Sequence, residues 1–163
     1  MSLQSALQGL TTTDGLVAKH WQSAPNRWIR LLPNKKVGIV GELLVVFVLG
    51  GERKTNNSLG YDVERGEEKI EVKTSTRSFS VNNCFTWNQV RKADPCTHVC
   101  FIAVYPDNVR MFNVPKASIP ESAMLKQHGK NGDGVTSQIK VNHPTAFPKW
   151  LTEHEVKPTA TAG

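Results

Sequence analysis

The stretch from Gly60 to Thr74 constrains the fold more than any other part of this chain. Gly60-Tyr61-Asp62-Val63-Glu64 and Lys69-Ile70-Glu71-Val72-Lys73-Thr74 each alternate apolar and charged residues, the period of a half-buried strand. Tyr61, Val63, Ile70 and Val72 are expected to face a core, with Asp62, Glu64, Glu71 and Lys73 on the other side. Gly66-Glu67 suits a tight hairpin turn, because a type II′ turn prefers glycine at its first central position. That turn sets Glu64 against Lys69 and Asp62 directly across from Glu71. Carboxylates opposed in a ladder repel, so the register asks for compensation. A divalent cation held between them supplies it, and hard oxygen ligands suit magnesium. Lys73, two positions along the same strand, points at the same spot.

A chain of 163 residues is long enough to close one core, so residues 1–163 are read as a single domain. Its hydrophobic fraction of 39% and charged fraction of 21% are those of an ordinary globular protein. The net charge of +6 favours a polyanionic partner, since neutralised phosphates release counterions. Charge alone leaves open a basic protein that binds no nucleic acid. Cys84, Cys96 and Cys100 form an odd set without a secretory leader, which points to a reducing cytoplasm in a prokaryotic or phage-like setting. Cys96, His98 and Cys100 have no second ligand pair at zinc spacing. Cys100, inside Val99-Cys100-Phe101-Ile102-Ala103-Val104, reads as a small buried hydrophobe.

Along the chain, Leu3, Leu7 and Leu10 share a helical face, and Asp14 suits the cap of a short helix through Trp21 that stops before Pro25. Trp28, Ile29, Leu31 and Leu32 are expected to be buried. Arg27, Arg30, Lys35 and Lys36, interleaved with or just after them, read as an ordinary amphipathic segment in preference to a DNA-facing arm. Val37 to Gly51 is apolar nearly all round and ends at Gly50-Gly51, a good helix stop. It is shorter than the roughly 20 residues a bilayer span needs, so it reads as a core helix with no membrane role. Glu42 is its only charge, and a buried carboxylate needs a partner or a cation; the alternative is an exposed first turn favoured by the helix dipole.

Glu52 to Gly60 reads as a polar loop, Thr74 to Asn83 as a loop with Arg77, and Phe85 to Lys92 as a short helix stopped before Pro95. Thr97 to Tyr105 predicts a strand buried on both faces, Val109 to Val114 a further strand, and Gln138 to Asn142 a short one. Lys126 to Gly134 is a glycine-rich basic loop without the spacing of a phosphate-binding loop, which argues against a nucleotide cofactor. Phe147 to Leu151 is expected to pack down, and Lys157 to Gly163 to fray.

Phosphodiester hydrolysis needs an in-line nucleophile, neutralised phosphate oxygens and help for the leaving alkoxide. Asp62, Glu71 and the backbone carbonyl of Val72 are the expected magnesium ligands, with manganese a substitute. Lys73 is expected to contact the attacking water and the scissile phosphate. Glu42 would hold a water or a second metal from behind the sheet, and Gln89 would support Lys73 or the phosphate.

The order of these residues resembles the PD-(D/E)xK nuclease superfamily: a helix bearing Glu42, a strand bearing Asp62, Glu71-Val72-Lys73 on the paired strand, then a helix carrying Gln89 and a buried parallel strand. The resemblance covers about Val37 to Val114, and Tyr61 stands where the motif's name has proline. It implies an α/β fold leaning to α+β, with a central mixed β-sheet flanked by helices, magnesium dependence, and homodimers that cut both strands. Met1 to Lys36 and Ala117 to Asn142 are then additions for recognition or dimerisation. Arg77, Arg91, Lys126, Lys130, Asn131, Gln138 and Lys140 carry donors for DNA, whether for base edges or for phosphates. The leading expectation is a sequence-specific, restriction-like endonuclease of double-stranded DNA. A Holliday-junction resolvase and a homing endonuclease are rivals within the superfamily, and a non-catalytic DNA-binding module is the rival from another class.

Overall fold

The alternating segment folds as the hairpin its period requires, and the rest of the chain is built on it. The computed structural model describes residues 21–78, 84–126, 137–142 and 147–157. The expected N-terminal helices around Leu3 and Asp14, the Lys130 and Asn131 stretch of the basic loop, and all of the C-terminal segment expected to fray except Lys157 lie outside these residues. In chain order come helices α1 (Arg27–Arg30) and α2 (Asn34–Leu49), then strands β1 (Glu52–Arg53), β2 (Val63–Arg65) and β3 (Glu68–Thr76). Strands β4 (Cys84–Val90), β5 (His98–Val104), β6 (Val109–Pro115), β7 (Leu125–Lys126) and β8 (Ser137–Asn142) follow, then helix α3 (Lys149–Thr152).

Five strands form one mixed sheet in the order β1-β2-β3-β5-β6, and β4-β8-β7 form a second, antiparallel one. Only β3 and β5 run parallel; the other pairs of the large sheet are antiparallel. The architecture is α+β. Helix α2 covers one face of the large sheet, where Val37 and Val45 meet Val63, Ile70, Val72, Cys100 and Ile102. The other face is covered by the small sheet, whose Phe85, Trp87 and Ile139 meet Val99, Phe101 and Phe112. Helices flank the large sheet as expected, but unequally: α2 covers one face, and on the other the only described α-helix is the four-residue α3, whose Leu151 joins the second core. Strand β5 sends alternate residues to both cores, which is why its sequence is apolar without alternation. The three cysteines are free and buried, and Cys100 is the small core residue expected. No described helix is long and apolar enough to cross a membrane.

Several segments differ from expectation. Phe85 to Lys92 was expected as a helix, yet Cys84–Val90 is a strand. Phe85 and Trp87 stack with centroids 5.9 Å apart, and Trp87 meets Phe101 edge-on at 5.3 Å. Trp87 Nε1 also donates to the Ile102 carbonyl at 3.0 Å. Aromatic residues two apart on a pleated surface share a face, and that packing decides against the helix. Thr74 to Thr76 belong to β3, and Glu52-Arg53 form the edge strand β1, where loops were expected. Helix α2 is not apolar-packed all round: Leu43 and Phe47 face outward, as do Trp28 and Leu31, while Ile29 alone of its quartet is fully buried.

Gly41 explains how closely α2 lies on the sheet. A Cβ there would stand 1.8 Å from Thr74 Oγ1 and 3.3 Å from Ile102 Cδ1. Only a residue without a side chain fits at that crossing. The contact brings the next residue, Glu42, to the level of the hairpin.

Candidate active site

The turn at Gly66-Glu67 has a φ of +58° at the glycine, the sign that favours Gly at the first position of a II′ turn. Glu64 pairs with Lys69 as the turn predicts, and the ladder continues to Val63 opposite Ile70. There it stops. Asp62 is not the rung opposite Glu71 that the register predicts. Its N–H donates instead to the Ile70 carbonyl at 2.9 Å, and its Oδ2 accepts from the Val72 N–H at 2.8 Å. A side-chain oxygen replaces the backbone acceptor a longer β2 would have offered. Tyr61 turns with it, packing against the small-sheet core rather than beside Val63, Ile70 and Val72.

The early end of β2 leaves room beside β3. Backbone groups of successive strand residues point to alternate edges, so the Val72 carbonyl shares the edge that its N–H presents to Asp62. Asp62, Glu71, Lys73, Gln89, Arg91 and Asp94, with Ser58, Gly60 and Tyr61, line one cavity of about 300 Å³. Three expected catalytic groups and the expected support Gln89 thus meet in one place. Lys73 Nζ lies 2.6 Å from Glu71 Oε1, and the two side chains are 15% and 17% exposed, too buried for a solvated surface pair.

Gln89 reaches this cavity from a strand, not from the helix expected. Between Trp87–Ile139 and Val90–Ser137 the β4–β8 register slips, so Asn88 and Gln89 together oppose Gln138. Gln89 has a φ of +58°, costly for a residue with a side chain. Bulges of this kind re-aim a side chain at the end of a sheet, and strained backbone is a mark of functional positions.

Burial is the main force on Glu71 and pushes its carboxyl above the ordinary value of 4.5. Lys73 opposes that rise, while the charge of Asp62 and, less, that of Asp94 add to it. Glu42 is also pushed up, first by burial, against its hydrogen bond to Arg53 and with a further push from Asp62. Glu42 Oε2 accepts from Arg53 Nε at 2.6 Å. It sits in the middle of α2 rather than in an exposed first turn, and it is not among the residues lining the cavity. Arg53 is the partner its burial calls for.

Among the described residues no three His, Cys, Asp or Glu side chains form a ready-made metal set. Magnesium keeps several waters and is commonly held by one or two carboxylates. Three half-buried carboxylates on one cavity, Asp62, Glu71 and Asp94, with the Glu71 carboxyl pushed up by burial, are a donor set that a cation would relieve. Asp62 and Glu71 on that cavity, with the Val72 carbonyl on the neighbouring edge, are oxygen donors of the kind magnesium takes.

The expected DNA contacts are scattered. Arg91 lines the cavity, and Arg77 stands over the Tyr105 ring at 5.9 Å. Gln138 donates to Asn88 Oδ1 at 2.7 Å, which ties the bulge to β8. Lys126 and Lys140 are exposed on β7 and β8. Lys130 and Asn131 lie outside the described residues. A separate cavity of about 560 Å³ beside Lys140 and Trp150 shares no residue with the carboxylates. Sequence reasoning missed Arg53 and Asp94. Arg53 stood next to a buried acid awaiting a partner, which is a usable signal, but Asp94 reaches the site only through the fold. No protein-family model matches this chain, and no curated protein matches it either.

Proposed function

We propose that this chain is a magnesium-dependent endodeoxyribonuclease of the PD-(D/E)xK kind, hydrolysing phosphodiester bonds in double-stranded DNA at specific sequences. One observation carries the reading: Asp62, Glu71 and Lys73 line a single cavity beside the vacated edge of β3. The net charge of +6 supports a polyanionic substrate.

In this reading Asp62 and Glu71, with the Val72 carbonyl, hold the cation. Magnesium, when bound, neutralises charge on the phosphate oxygens and on the leaving alkoxide. Lys73 keeps donors beyond the one it gives Glu71, and these orient the attacking water against the scissile phosphate. Arg91 adds positive charge at the rim, and Gln89 fixes Lys73 or a phosphate oxygen. Glu42 acts on a water or second metal only after release from Arg53. A homodimer would present two such sites, one to each strand.

The test is incubation of pure protein with supercoiled, linear and four-way-junction DNA in magnesium. Discrete products that disappear in Lys73→Ala and Asp62→Ala support the reading, with losses of roughly a hundredfold or more. Intact DNA across all three substrates would refute it. Preference for the junction would make the chain a resolvase, and a long degenerate target a homing enzyme. DNA binding without metal, unchanged in Lys73→Ala and with no cleavage, would make it a binding module. Sequenced ends placed about a dyad would establish the symmetric dimer.

A further inference from the structure

The reaction cavity continues into a second one. A trough of about 360 Å³ shares Lys73 and Gln89 with it. The trough follows β3 from Lys73 to Thr76, with Arg30 and Asn34 along one bank and Asn88 along the other. No described strand pairs with this edge of β3 beyond Ile70. The backbone groups of Thr74 and Thr76 point to the same edge as those of Val72, by alternation. Arg30 closes the far end: its guanidinium donates to Thr76 Oγ1 at 3.3 Å and is otherwise exposed.

We propose that this trough is the path of the nucleic-acid strand beyond the cut, with Arg30 gripping one phosphate of it. The inference rests on the nuclease reading and extends it to the track of the substrate. An exposed guanidinium, edge N–H groups and neutral hydroxyl and amide side chains suit a phosphodiester backbone, which offers acceptors and negative charge. The trough holds no acidic side chain to repel it. From Lys73 to Thr76 the strand advances three residues, about 10 Å. Phosphates on one strand rise about 3.4 Å each along the duplex axis but lie about 7 Å apart along the strand itself, so Arg30 meets a phosphate one to two nucleotides from the scissile one.

The experiment uses the full chain without magnesium and a labelled duplex whose cut position has been mapped. In a series of duplexes each phosphate near the cut is replaced in turn by an uncharged methylphosphonate. Wild type should lose affinity at the phosphate one to two nucleotides away. Arg30→Ala should bind the unmodified duplex about tenfold or more weakly and become insensitive to neutralisation at that one position. Its salt dependence should flatten by about one counterion. Arg30→Lys should regain part of the affinity and the positional sensitivity, which a folding defect would not reproduce. Arg65→Ala, the same charge change at the hairpin tip, is the control. If Arg30→Ala keeps the wild-type pattern at every phosphate while magnesium-dependent cleavage persists, the trough proposal falls and the nuclease stands. If an extended peptide, and no DNA, competes for the trough, the proposal falls too. If wild type neither binds nor cuts DNA, the nuclease reading itself has failed.

Discussion

At position 62 a side-chain oxygen does the work of a backbone one. Asp62 Oδ2 satisfies the Val72 N–H, and the same carboxylate is available to a cation, so structural and chemical roles can be separated by substitution. Asp62→Asn keeps an amide oxygen for Val72 and removes the charge. It should stay within about 1 kcal/mol of wild type in a denaturant melt while losing cleavage. Asp62→Ala leaves the N–H unpaired and should cost about 1–3 kcal/mol in addition; equal stability of the two variants would show that the bond to Val72 is without weight. Gln89 gives the opposite trade. Gln89→Gly removes the left-handed strain, worth about 1–2 kcal/mol, so it should melt no lower than wild type yet turn over more slowly, with DNA affinity little changed. A fall in both stability and affinity would mean the side chain is chiefly a structural tie.

Among the elements, α2 depends on a contact that no local pattern announces. Gly41→Ala improves helix propensity by about 1 kcal/mol but sets a methyl 1.8 Å from Thr74 Oγ1. Overpacking of this kind typically costs about 1–3 kcal/mol, so the variant should be destabilised, and Thr74→Ala in the same chain should recover most of the loss. Thr74 Oγ1 is buried without a partner among the described residues, so its removal alone is expected to be mild. A Gly41→Ala protein as stable as wild type would show that α2 can lift from the sheet without cost. The hairpin and β5 were legible because period and apolarity are local signals. Strand β4 was not, since Asn88-Gln89-Val90-Arg91 carries no clear alternation, and the bulge that breaks it exists only against Gln138. Gly41 was equally hidden, because its crowding comes from Thr74 and Ile102, residues distant in the chain. The acidic pair was found for a partly different reason from the one that holds: they share a cavity, but through the strand's early end and not as opposed rungs.

For the molecule as a whole, pH should separate the acids that burial pushes up, Glu42 and Glu71, from Glu155. Glu42 and Glu71 have folded pKa values above 4.5, so each adds stability that is full below that value and is lost as pH rises through the folded one. Glu155 is the reverse. Its hydrogen bond from Arg110, 2.8 Å from Nε, holds its carboxyl below the ordinary range, so its contribution is present above 4.5 and vanishes as pH falls through the lowered value. In the proposed site magnesium requires Glu71 ionised, so the rise in melting temperature that magnesium gives should shrink as pH falls through the raised Glu71 value to below 4.5. A magnesium shift that stays flat as pH is taken from neutral to below 4.5 would remove Glu71 from the ligand set. The three thiols have a further use. All are enclosed, and burial raises those of Cys96 and Cys100, so an alkylating reagent meets no accessible thiolate in the native state. Labelling should therefore wait on global opening, and its rate under mild denaturant would time how often the whole molecule comes apart.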